Sequence, residues 1–195
     1  MSKRALVYTV LGLLLMGVIW AFSQLKSSYE LLPIQAAKKA APSTYSLWQN
    51  YNAETFSVSV PVLPQNATDV VKEPNTQETR IYDLYVSETP DGTIYMISVI
   101  TFPHLAPGTA PNALIDSILD GMVKAQPNNV LSENTPASLF GDEGRKFTLQ
   151  GDEQTFMGQA FMQGKSLFVL TGIYKKDNVQ APDFKYFVDS FALKP

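Results

Sequence analysis

Residues Gly144 to Tyr174 constrain the fold most. They read as three successive antiparallel strands, Arg145–Gln150, Thr155–Met162 and Ser166–Tyr174. Turn chemistry separates them. Gly151-Asp152-Glu153 divides the first pair. Gln163-Gly164-Lys165 closes the second as a tight hairpin, because glycine tolerates the positive φ that such turns need. The rest of the chain reads as strands added to this sheet or helices laid on it. The expected fold is α+β: an antiparallel sheet of about six strands flanked by helices, preceded by an N-terminal transmembrane or signal helix.

Composition agrees with that frame and removes several chemistries. Thirteen prolines and eleven glycines in 195 residues favour short strands and turns over a helical bundle. A folded part of roughly 150 residues buries about 70% of the surface its unfolded chain exposes, so its core needs no staple. There is no cysteine. Disulfides, thiolate nucleophiles, cysteine-ligated metals and a lipid-modified cysteine are therefore excluded. Net charge is −3 and no basic stripe exists, which argues against nucleic acid as a partner.

Lys3 and Arg4 precede a nearly unbroken apolar run, Ala5 to Phe22. Eighteen residues rising 1.5 Å each span about 27 Å, close to the hydrocarbon thickness of a bilayer. A cleaved signal peptide shares the charged start, but its apolar run is usually about 7–15 residues, and Ala21-Phe22-Ser23 is only a passable cleavage site. An uncleaved anchor fits the length better, with Trp20 at the interface. Secretion after cleavage remains the alternative. Residues 1–26 are assigned to the anchor, 27–46 to a small, polar tether and 47–195 to the folded domain. Lys26, Lys38 and Lys39 weaken the positive-inside bias set by Lys3 and Arg4, but the body is expected outside the cytoplasmic membrane, on the periplasmic or outer side.

Within the domain, Phe56, Val58 and Val60 alternate with Ser57 and Ser59, and Pro61 and Pro64 end that strand. Val70 to Pro74 suggests a short edge strand. Arg80–Glu88 and Thr93–Phe102, joined by Pro90-Asp91-Gly92, form a strong hairpin signal. The return strand is apolar on both faces, so it should lie centrally with both faces covered. Pro111 opens a helix expected over Asn112–Gln126, with an apolar stripe of Leu114, Ile115, Ile118, Leu119, Met122 and Val123. Asn129–Glu133 reads as another strand, and Leu139 to Gly144 as a glycine-bounded turn. Pro182 opens a closing helix, Asp183–Phe191, with an aromatic face.

Three of these segments resemble the PsbP-like family, including its DcrB-type and Mog-type relatives. Phe56-x-Val58-x-Val60-Pro61-x-x-Pro64 is similar to the family's first strand. Gly141-Asp-Glu-Gly144-Arg145-Lys-Phe147 is similar to its turn before the central meander. Phe187-Val-Asp-Ser190-Phe191-x-Leu193 is similar to its closing helix. The resemblance spans roughly Tyr45 to Leu193. It implies an antiparallel sheet with helices on its faces, in a class of mostly non-enzymatic assembly or binding modules. The anchor departs from the lipoprotein relatives, which carry a cysteine absent here.

Chemistry-bearing residues are few. His104 is the only histidine and lies in a loop between Pro103 and Pro107, so no His-His metal pair can form and any Ser-His-Asp triad must use it. Asp142-Glu143 and Asp152-Glu153 sit at opposite ends of one strand, without the oxygen spacing of a calcium loop. Arg145 has the fork geometry for a carboxylate or phosphate; the plainer expectation is a structural pair with a nearby carboxylate. The candidate binding residues are therefore Arg145, His104, Asp142 and Glu143, with no catalytic set, cofactor or metal expected. The expected function is a membrane-tethered, non-catalytic module that binds another envelope or membrane protein and meets the bilayer through Ala5–Phe22. A small-ligand or metal carrier with a pocket beneath the Asn112–Gln126 helix is the first alternative, and a cryptic hydrolase the second.

Overall fold

The computed structural model describes residues 45–72, 79–105, 108–125, 128–139 and 141–194. The proposed anchor at 1–26 and the tether up to residue 44 lie outside them, as do Glu73 and Pro74. No helix of the described residues is long and apolar enough to cross a membrane.

Ten strands form two sheets, where one sheet of about six was expected. In chain order they are β1 (Gln49–Asn52), β2 (Phe56–Val60), β3 (Gln65–Lys72), β4 (Thr79–Glu88), β5 (Ile94–Thr101), β6 (Val130–Leu139), β7 (Asp142–Gln150), β8 (Gln154–Gln163), β9 (Ser166–Lys175) and β10 (Ala192–Leu193). Two helices complete the fold, α1 (Pro111–Ala125) and α2 (Ala181–Asp189). The larger sheet is antiparallel with order β3-β4-β5-β9-β8-β7-β6; β1-β2-β10 form the smaller one. The strand at Phe56–Val60 therefore does not join the main sheet, because it pairs with the last strand of the chain instead.

The meander stands as read from its turns. Gly164 has φ 59° in the β8–β9 hairpin, and Gly92 has φ 86° in the β4–β5 hairpin. Asp91 organises the second turn: Thr89 Oγ1 donates to its carboxylate, and the Thr93 amide does so at 3.2 Å. The Thr89 hydroxyl holds the Asp91 carboxyl below the usual range.

Alternation along the strands divides the core in two. Met96, Ile100, Phe147, Leu149, Leu167, Val169 and Ile173 face α1, meeting Ile115, Ile118 and Leu119. Tyr95, Ile97, Val99, Phe168, Leu170 and Tyr174 face the other way, toward α2 and the small sheet, meeting Phe56, Val58, Phe184 and Phe187. The doubly apolar β5 is thus covered on both faces. Trp48 packs edge-on to Tyr95 at 5.1 Å, and Tyr45 stacks on Tyr186 at 4.0 Å, which fixes the start of the domain against α2. At the far end of α1, the Asn129 side-chain amide donates to the Met122 carbonyl at 3.0 Å, satisfying an acceptor that helix geometry leaves open.

Candidate functional site

The strand registers bring one end of the large sheet together. Ile81 lies opposite Thr101, Thr101 opposite Ser166, Gln163 opposite Ser166, Phe161 opposite Gly144, and Asp142 opposite Leu139. His104 follows β5 at this end, and Asp142, Glu143 and Arg145 open β7 there. The three β7 residues belong to a strand and not to the glycine-bounded turn expected from Leu139 to Gly144. The reversal is confined to the residues around Gly141, whose φ is 89°.

Alpha1 is tied to this end by two polar contacts that follow from matched periods. Asn112 Nδ2 donates to Glu143 Oε2 at 3.0 Å. Arg145 donates through Nε to Asp116 Oδ1 at 3.2 Å and through Nη2 to Asp116 Oδ2 at 3.4 Å. Asn112 and Asp116 are one helical turn apart, about 6 Å along the axis. Glu143 and Arg145 are two strand residues apart, about 6.6 Å and on one face. The Arg145 fork is occupied by a structural carboxylate. Asp142 alternates to the opposite face of β7, so Asp142 and Glu143 do not act as a carboxylate pair. Asp152, at the other end of β7, accepts from Asn128 Nδ2 at 2.7 Å.

His104 is exposed, in the turn after Phe102. That turn is held from the β8–β9 hairpin: the Phe102 amide donates to the Lys165 carbonyl at 2.9 Å, and Lys165 Nζ donates to the Pro103 carbonyl at 3.0 Å. Beside it lies a cavity of about 110 Å³ between the start of α1, the start of β4 and the loop after β5. Its walls are Phe102, Leu105 and Leu114; Arg80 and His104 line it with the hydroxyl residues Thr79 and Thr109. The Arg80 guanidinium carbon lies 5.0 Å from the centroid of the Phe102 ring. Among the described residues, no group of three or more His, Cys, Asp or Glu side chains is placed to hold a metal ion.

Arg80 is the residue that the sequence reading passed over. A signal for it existed. Arg80 shares the parity of Tyr82, Leu84 and Val86, which pack on the α1 side of the core, so it puts a cation on the inward-facing register of β4.

No family model matches the chain, and no curated protein matches it. Solved structures do. The solution structure of cyanobacterial PsbP from Synechocystis sp. PCC 6803 superposes with a TM-score of 0.49 at 10% identity, covering 80% of this chain and 98% of that one. A protein of unknown function from Pseudomonas aeruginosa gives 0.48 at 13% identity, covering 76% and 98%. The first of these carries the name of the family that the sequence motifs resemble.

Proposed function

We propose that this chain is a membrane-tethered, extracytoplasmic domain that binds another envelope protein without bond-breaking chemistry. The supporting observation is the contrast between the two edges of the large sheet. Beta6 carries a register shift between Leu131 and Glu133 and has Pro136 in its run, both of which blunt an edge. Beta3 pairs in unbroken register with β4 over eight residues, and Val70 and the preceding Leu63 stand 59% and 53% exposed. An edge of that kind is a template for an added strand.

The backbone direction of β3 can be assigned. The Val70 amide bonds to the Asp69 carboxylate at 2.8 Å, so it points away from β4, and Thr68 shares its direction. Residues 45–195 hold ten basic and seventeen acidic side chains. The partner segment is therefore extended, β-branched and basic.

The test is site-specific photo-crosslinking from Val70 in the full-length protein in its native membranes. A discrete adduct is expected, lost in Thr68→Pro, which removes an outward amide, and kept in Thr68→Val. Equal adducts from Asn134 on β6, or an unchanged adduct in Thr68→Pro, would sink the edge-pairing reading. N-terminal sequencing of the mature protein, with protease access in intact cells, checks the tether; recovery as an unprocessed cytosolic protein would overturn it.

A further inference from the structure

The cavity beside α1 carries a second inference, independent of the sheet edge. We infer that it is a subsite for a short-chain aliphatic carboxylate. The cavity has one cationic side and one greasy side. Arg80 and His104 meet Thr79 and Thr109 on the first; Phe102, Leu105 and Leu114 make the second.

Size and chemistry narrow the ligand. A volume of about 110 Å³ admits only a few heavy atoms; an apolar cavity of roughly 150 Å³ holds benzene. An arginine fork matches a carboxylate through two parallel N–H donors. Contact with Phe102 engages the π face of the Arg80 guanidinium, whereas carboxylate recognition uses its N–H edge, so the two are compatible. Hydroxyls at Thr79 and Thr109 add donors beside it. Inorganic phosphate would satisfy the polar side but leave the three apolar walls wet. An alkylammonium ion would fill the walls but meet a like charge. A carboxylate with two to four carbons suits both sides.

Position supports use as a site. The loop bearing His104 is anchored to the β8–β9 hairpin through Phe102 and Lys165, so the rim is held by a rigid element. His104 itself is exposed at the mouth.

His104 is the only histidine, so its imidazole gives one resolved NMR signal in the intact chain. Full-length protein in detergent micelles is titrated with sodium butyrate, n-butylamine, inorganic phosphate and sodium chloride, at fixed pH and matched ionic strength. Butyrate is expected to move the imidazole signal saturably, while chloride and butylamine do not and phosphate does so about tenfold more weakly. Arg80→Gln is expected to weaken butyrate by about tenfold or more, the scale of one lost charge-assisted bond. Leu114→Phe, which fills the cavity and leaves the charges in place, abolishes the response and serves where Arg80→Gln fails to fold. An equal response to butylamine or phosphate overturns the assignment, as does an unchanged butyrate response in Leu114→Phe.

Discussion

The ring of Phe147 on β7 lies over the backbone of Gly158 on β8, its directly opposed partner in the register. A Cβ added at Gly158 would stand 2.0 Å from Phe147 Cζ, and both residues are fully buried. Replacing a strand glycine by alanine ordinarily stabilises by lowering the entropy of the unfolded chain. Here the sign reverses. Gly158→Ala is expected to cost about 1–3 kcal/mol from overpacking. Thermal unfolding should show a fall of several degrees. Phe147→Leu in the same chain should recover part of that loss, so the two changes cost less together than their sum. Additive losses would mean that the ring is not what excludes the methyl group.

Thr171 faces Gly158 across the β8–β9 pairing and is fully buried. Its hydroxyl has no hydrogen-bond partner among the described residues. An unsatisfied buried hydroxyl costs about 1–3 kcal/mol. Thr171→Val keeps the shape and removes the orphan group, so stability should rise by about 1 kcal/mol in denaturant unfolding, with unchanged slope. Thr171→Ser, which keeps the hydroxyl and loses a methyl group, should fall by a similar amount. A destabilised valine variant would show that the hydroxyl is satisfied in solution.

Period and turn chemistry made the meander, the Asp-Gly hairpin and both helices legible, because each is decided within about fifteen residues. The small sheet was not. Beta1 is polar with only Tyr51 half-buried, so it has no apolar alternation to read, and β10 has two residues and pairs with β2 from the opposite end of the chain. Beta3 is exposed on nearly every residue and β6 on most. Edge strands like these take their structure from a neighbour's hydrogen bonds, which leave no trace in burial pattern. The site divides the same way. Arg145 was readable as an ion-pair residue, but its partner Asp116 is 29 positions away and is fixed only when α1 docks. The cavity needs β4, the loop after β5 and α1 together, and no single stretch announces it.

The Arg145–Asp116 pair is expected to contribute modestly. Its side chains are 20% and 45% exposed, so solvent screens much of the attraction. A double-mutant cycle with Arg145→Gln and Asp116→Asn should give a coupling of about 0.5–1 kcal/mol, shrinking as salt is raised. Arg145→Lys should lose most of it, because an ammonium cannot make the paired contact that Nε and Nη2 make. A coupling that is insensitive to salt would assign the effect to packing of the arginine stem instead.

Tyr95 and Tyr174 set the alkaline limit of the fold. Their rings meet edge to face at 6.1 Å beneath α2, and they are 3% and 1% exposed. Burial pushes the Tyr95 phenol from 10.0 up to about 12. Burial raises Tyr174 as well, and the neighbouring Tyr95 adds to it. The sign follows from linkage. Below pH 10 both phenols are neutral in the folded and unfolded chains, and the whole contribution is present. Between pH 10 and 12 the unfolded chain ionises while the folded one resists. Each such phenol then removes up to about 1.4 kcal/mol of stability per pH unit. Unfolding free energy should therefore fall steeply above pH 10. Phenolate absorbance of the folded protein should show two tyrosines that ionise only as the fold is lost. Tyr95→Phe should flatten the fall by roughly the share of one group. An identical alkaline slope in that variant, with both slow tyrosines still seen, would show that Tyr95 ionises in the folded state at its ordinary pH.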